Sequence, residues 1–253
     1  MSDIVTSLRR AGCVFAEDEA ALLVAAAADP GQLSALVARR VAGEPLEHVL
    51  GWAEFCGLRI AVEPGVFVPR RRTEFLVRQA VSVTVPGAVV VDLCCGSGAL
   101  GAALAASVPV ELYAADVEPA AVRCARRNVP GEVFEGDLFA ALPADLRGRV
   151  HVLLANVPYV PSEKIGTMPP EARLHEPLVA LDGGADGLDV LRRVAGAAVE
   201  WLAPGGYLFV EASERQAPQA AAVLAGAGLV PLVARCDEIG ATVVRGERPA
   251  EVR

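Results

Sequence analysis

From Ala88 onward the chain predicts an α/β fold built on a doubly wound parallel sheet, with a small helical region ahead of it. Three observations carry that prediction. Continuous apolar runs such as AVVVDL and VHVLLAN have the texture of parallel strands buried on both faces. Helical stretches alternate with them, and repeated βα units imply a parallel sheet with ligands at the carboxyl ends of its strands. Turn residues such as Pro86-Gly87 and Pro204-Gly205-Gly206 punctuate the alternation. At 253 residues and 53% apolar composition, the chain can bury a sizeable core.

Taken in order, residues 1–50 read as helices, with Leu8, Leu22, Leu23, Leu33, Leu36, Val37 and Val41 at helical spacing and a break at Asp29-Pro30. Gly51, Gly57 and Gly65 then punctuate WAEF and LRIAV, which predicts a small β-hairpin. A helix follows Thr73 to about Val83. The alternating region runs AVVVDL, a helix over 99–107, ELYAAD, a helix over 119–128, the short strand EVFEGD, and VHVLLAN. A Pro- and Gly-rich segment over 157–187 is longer than ordinary loops, which marks it as functional. A helix over 188–202, the strand YLFVEA, a helix ending near Gly228 and two closing strands near 229–235 and 241–245 complete the chain.

Composition narrows the function. The formal net charge is −8, and the acidic excess lies almost entirely beyond residue 80. A duplex-binding surface needs a basic stripe, so direct action on nucleic acid is disfavoured. Cys13, Cys56, Cys94, Cys95, Cys124 and Cys236 show no CxxC spacing, hence no zinc pattern and no disulfide framework, which suits a reduced compartment. No apolar run is long enough for a membrane span and no signal-peptide pattern opens the chain, so a cytoplasmic protein is expected. His48, His151 and His175 are scattered and read as structural or surface residues.

Two stretches carry chemistry. Asp92-Leu93-Cys94-Cys95-Gly96-Ser97-Gly98-Ala99 joins a buried strand to a helix. Gly96 and Gly98 allow a sharp turn and close ligand approach, and the helix N-terminus favours an anionic group. Asp116 ends the next strand, where a carboxylate can accept from ribose hydroxyls; together they suit a nicotinamide or an adenosylmethionine site. Asp137 ends the third strand, either facing an adenine amino group or capping the helix ahead of Leu138. Asn156-Val157-Pro158-Tyr159 ends the fourth strand, at the same sheet edge as the glycine loop.

These motifs, with GEPLEHVLGWAEFCGLRIAVEPGVFVPRRRTEFLV over 43–77 and HEPLVALDGGADGL over 175–188, resemble the HemK/PrmC family of protein-(glutamine-N5) methyltransferases, which act on peptide chain release factors. The resemblance can be followed over residues 35–245. It implies a class I Rossmann-like methyltransferase fold with a helical domain at 1–50 that binds the protein substrate, a hairpin linker at 51–72 and a catalytic domain at 73–253. S-adenosylmethionine would be the cofactor. Asp92, Cys94, Gly96, Gly98 and Asp116 would hold its methionine and ribose portions, with Asp137 and Leu138 beside the adenine and Asn156 beside the methyl group. Asn156, Val157 (through its carbonyl), Pro158 and Tyr159 would form the acceptor pocket.

Three departures bear on the acceptor. Val157 replaces the proline of the family's Asn-Pro-Pro-Tyr, which frees the loop at Asn156 but keeps the carbonyl. The family's Pro-Arg-Pro-Glu-Thr-Glu appears as Pro69-Arg70-Arg71-Arg72-Thr73-Glu74, a charge run that is either solvated or tied to an altered, more acidic partner. Cys94 stands where such loops often carry glycine, and an arginine expected near Gly240 is absent. Other readings are an N-methyltransferase for a different protein, a small molecule or an adenine amino group, and a non-catalytic cofactor-binding scaffold.

Overall fold

The computed structural model describes residues 2–250. Four helices open it: α1 (Ser2–Arg10), α2 (Ala16–Ala26), α3 (Pro30–Val41) and α4 (Leu46–Leu50). The break at Asp29-Pro30 is real. Asp29 caps α3 by accepting from the Gln32 N–H at 2.8 Å, and Pro30 occupies the first helical turn, where its missing N–H costs nothing. The sequence also hid a break at Gly12, which sits at φ +93° just past α1. Leu8, Ala16, Ala20, Leu23 and Val49 form the core of this bundle, whereas Leu22 and Val41 stay exposed. Arg40 is buried in it, its Nε 2.6 Å from Glu19 and its Nη1 2.8 Å from Glu171.

Strands β1 (Trp52–Phe55) and β2 (Leu58–Ala61) pair antiparallel through the two-residue turn Cys56-Gly57. Both turn residues have positive φ, 51° and 75°, the pattern whose twist matches that of a hairpin. Asn128 accepts from the Ala61 N–H at 2.9 Å and donates to the Ala61 carbonyl at 2.9 Å, fastening the hairpin to the larger sheet's flank.

That sheet has seven strands. β3 (Val89–Leu93), β4 (Glu111–Asp116), β5 (Glu132–Glu135), β6 (Val150–Ala155), β7 (Leu202–Glu211), β8 (Val230–Cys236) and β9 (Ala241–Glu247) lie in the order β5-β4-β3-β6-β7-β9-β8. Helices α5 (Glu74–Val81), α6 (Ala99–Ser107), α7 (Pro119–Ala125), α9 (Asp189–Trp201) and α10 (Ala217–Gly226) pack on its two faces, which bury separate apolar clusters. The expected all-parallel sheet needs correction: β9 inserts between β7 and β8 and runs antiparallel to both. Local patterning cannot reveal such an insertion, because it is a matter of order and not of periodicity. Pro204-Gly205-Gly206, expected as a turn before a strand, lies inside β7 instead. The register against β6 shifts there, and a Cβ on Gly206 would come within 2.8 Å of the Val150 carbonyl oxygen.

The chain order reverses between β3 and β6, whose last residues Leu93 and Ala155 are register partners. Ligand sites of open α/β sheets form at such a switch point. The 157–187 segment crosses above it and is not featureless: it contains α8 (Pro170–His175), single helical turns at Ser162–Thr167 and Leu178–Ala180, and a bridge between Val160 and Asp182. Gly187 packs directly on the turn after β6, since a Cβ there would lie 2.2 Å from the Tyr159 carbonyl oxygen.

Candidate active site

The glycine loop shapes one wall of the cleft. Gly96 and Gly98 have φ of +55° and +77°. At Gly98 a Cβ would collide with Val129 Cγ2 at 2.4 Å, so this glycine serves helix packing. At Gly96 nothing lies within 4 Å of an added Cβ, and its open side lines the cleft. Cys94 also lines it and takes φ +52°, a conformation that costs a residue with a Cβ about 1 kcal/mol or more. Burial pushes its thiol, and that of Cys95, far up, so neither is a ready nucleophile.

Asp116 sits opposite Gly96. One carboxylate oxygen accepts from the Gly96 N–H at 2.8 Å and the other from the Glu118 N–H at 2.9 Å. Burial raises its pKa while those two amides pull it down. Each oxygen keeps a lone pair for a diol. Asp137 and Leu138 line the far end of the cleft, with Leu138 at φ +50°. Asp137 makes no side-chain cap bond to the turn that follows; it pairs with Arg193 from α9 at 2.5 Å. Two candidates, Gly98 and Asp92, do not line the cleft. Asp92 lies beneath the loop, fully buried, and accepts from the Gly101 N–H at 2.9 Å; desolvation pushes its carboxyl up to about 7.

The opposite wall starts at Asn156, the residue after β6. Its Oδ1 is buried and has no hydrogen-bond partner among the described residues. Val157 is buried, and no group among the described residues donates to its carbonyl. Pro158 and Tyr159 continue the wall, and Gln216 holds the Tyr159 carbonyl at 2.9 Å. The Tyr159 hydroxyl donates to Glu211 Oε1 at 2.8 Å and accepts from Arg72 Nη2 at 2.6 Å. Arg72 Nε donates to the same Glu211 oxygen at 2.9 Å, and the Thr73 hydroxyl takes the other at 2.5 Å.

The arginine run is therefore not a solvated stripe. Arg72 is held as described, and Arg70 pairs at 2.6 Å with Glu176, a buried carboxylate that also accepts from the Val68 N–H at 3.1 Å. Only Arg71 of the three faces solvent without an ion pair among the described residues. Glu211, Thr73, Glu176 and Arg193 escaped the reading of the sequence. The one signal available was for Glu211, an acid closing the apolar strand YLFVEA at the same sheet edge as Asp116. Of the histidines, His48 is buried with Nε2 2.8 Å from the Val66 carbonyl, and the exposed His151 accepts from the Val89 N–H at 3.0 Å; neither lines the cleft.

The cleft thus offers a carboxylate with lone pairs to spare at Asp116, an open backbone cradle at Gly96 and an unsatisfied amide oxygen at Asn156, with Phe67, Val179 and Leu181 as apolar lining. That set fits an adenosine-bearing cofactor with a substrate beside it. A release factor glutamine methyltransferase of Geobacter sulfurreducens is 38% identical over 229 residues, 87% of this chain and 80% of that protein. The chain belongs to the release factor glutamine methyltransferase family. A Methyltransferase small domain model matches residues 57–168, from the hairpin turn through the Asn156–Tyr159 wall. A 4-amino-L-phenylalanine/4-methylamino-L-phenylalanine methyltransferase of Streptomyces pristinaespiralis is 37% identical, covering 76% of the chain and 69% of its own length. A methyltransferase structure from Pyrococcus furiosus superposes with a TM-score of 0.58 at 15% identity over 85% of this chain and 99% of its own, which places the family member in the class I Rossmann-like methyltransferase fold.

Proposed function

We propose that the chain transfers a methyl group from S-adenosylmethionine to the side-chain amide nitrogen of a glutamine in a peptide chain release factor. The observation that carries this reading is the buried, unpartnered Oδ1 of Asn156 on the cleft wall. Leaving such an acceptor unsatisfied costs about 1–3 kcal/mol, a cost that a substrate N–H removes on binding.

An amide nitrogen is a weak nucleophile because its lone pair is delocalised into the carbonyl. Asn156 Oδ1 and the Val157 carbonyl each accept one N–H of the substrate amide, which favours a pyramidal nitrogen and directs its lone pair at the transferring carbon. When bound, S-adenosylmethionine supplies a methyl group on an electrophilic sulfonium sulfur. The N-methylated amide is so acidic that its extra proton leaves without a dedicated base. The work of the chain is positioning, which can contribute about 7–11 kcal/mol in well-oriented systems. Gly96 and Asp116 hold the methionine and ribose parts of the cofactor, Gly98 lets α6 pack close behind them, Asp137 and Leu138 flank the adenine, and Tyr159 packs on the planar acceptor. Residues 1–50 grip the protein substrate, 51–72 connect and 73–253 carry the chemistry. A release factor substrate puts the reaction in the cytoplasm.

Transfer of labelled methyl to purified release factors bearing a Gly-Gly-Gln loop tests the proposal. Label on that glutamine, lost in Asn156→Ala, supports it; no label while calorimetry shows cofactor binding overturns it. The Streptomyces pristinaespiralis relative favours one second reading, an aromatic amine as acceptor, and the same assay with 4-amino-L-phenylalanine decides between them.

A further inference from the structure

We infer that Arg72 and Glu211 are positioning residues that clamp the Tyr159 hydroxyl, so that Tyr159 offers its ring and not its oxygen to the acceptor; the use of the clamp rests on the methyl-transfer reading above. Three hydrogen bonds close a ring. The phenol donates to Glu211 Oε1 at 2.8 Å, Arg72 Nη2 donates to the phenol at 2.6 Å, and Arg72 Nε returns to the same Glu211 oxygen at 2.9 Å. Thr73 fixes the second carboxylate oxygen at 2.5 Å, and Gln216 fixes the tyrosine's backbone carbonyl at 2.9 Å. The hydroxyl proton is thus committed and a lone pair is used, while burial and the Glu211 charge drive the phenol's pKa up. With its hydroxyl engaged in this way, the value of Tyr159 lies in where its face points.

The charges require the arrangement. Glu211 has a side chain only 4% exposed, and Arg72 is its one ion-pair partner among the described residues. A buried carboxylate stripped of its cation is strongly destabilising, so the residue at 72 cannot be an acid here without a second change.

The test is a double-mutant cycle on Arg72→Met and Tyr159→Phe, repeated in a Glu211→Gln background where removing Arg72 leaves no unpaired carboxylate. We expect Arg72→Met alone to lower kcat about thirtyfold, with KM and cofactor affinity changed less than about threefold, and to cost under about threefold more once Tyr159 is Phe. Equal losses in both tyrosine backgrounds, or a fall in cofactor affinity matching the fall in kcat, would overturn the inference. Thermal unfolding of the same proteins reads the clamp without turnover. Non-additive Tm losses support it, and additive ones overturn it. A wild-type protein that methylates no release factor would instead sink the proposed function, leaving the Tm cycle to judge the clamp.

Discussion

Along one wall of the cleft every candidate contact falls between Cys94 and Leu138, with backbone amides disposed around Asp116 and a second carboxylate, Asp137, at the far end. The other wall gathers side chains from segments as distant as Arg72 and Glu211, joined through Tyr159. A site made of backbone needs a turn and little else, so it is written in contiguous sequence. A site made of paired side chains needs the whole fold to bring its members together. The first kind suits an invariant ligand such as a cofactor; the second can be altered one side chain at a time, as an acceptor pocket must be.

This contrast can be broken most severely at Asn156. Asn156→Ala should lower kcat about a thousandfold while cofactor affinity, set by the other wall, changes little; labelled methyl transfer and calorimetry together check this. Asp116→Ala should do the reverse. Losing a carboxylate that ties down Gly96 and is proposed to accept from the ribose should weaken cofactor binding about thirtyfold in calorimetry, with a smaller effect on kcat at saturation.

A subtler effect concerns Asp92 beneath the glycine loop. Its carboxyl is pushed up to about 7 by burial, well above the ordinary value near 4. Between those pH values the folded chain retains a proton that the unfolded chain releases, so this group's contribution to stability declines as pH rises through the window. Asp92→Asn keeps an oxygen for the Gly101 N–H and should flatten that decline in thermal melts. Some slope will remain, because burial raises Asp116 and Glu176 in the same direction. The smallest effect is expected at Cys94. Cys94→Gly relieves the positive φ and should raise stability by about 1 kcal/mol or less in denaturant unfolding, with cofactor affinity unchanged.

What could be read from the chain alone follows the same division. The helix at 99–107 and the strands flanking it match their residues because buried parallel strands and glycine turns are local signals. Asn156–Tyr159 was legible as a motif, and its proximity to the glycine loop followed from both lying at strand ends. The insertion of β9 was not legible, since its residues have the same texture whether they run up or down. Arg72 resembled part of a surface charge run because its partner Glu211 lies at the far end of β7. Asp137 could be an N-cap on local grounds, but Arg193, from a helix more than fifty residues on, claims its carboxylate.

The segment above the cleft is anchored on its outer side by two arginines, Arg40 reaching Glu171 and Arg70 reaching Glu176. In mechanical terms this makes it a lintel and not a door. Glu176 is the buried anchor, and leaving such a carboxylate without its cation costs about 3–5 kcal/mol, whereas Glu171 is half exposed and holds its end more lightly. A span held in this way suits a visitor slender enough to pass beneath, such as a single side chain on a narrow loop. Because Arg40 belongs to α3, leverage applied to the opening helices is felt directly at the opening's upper edge.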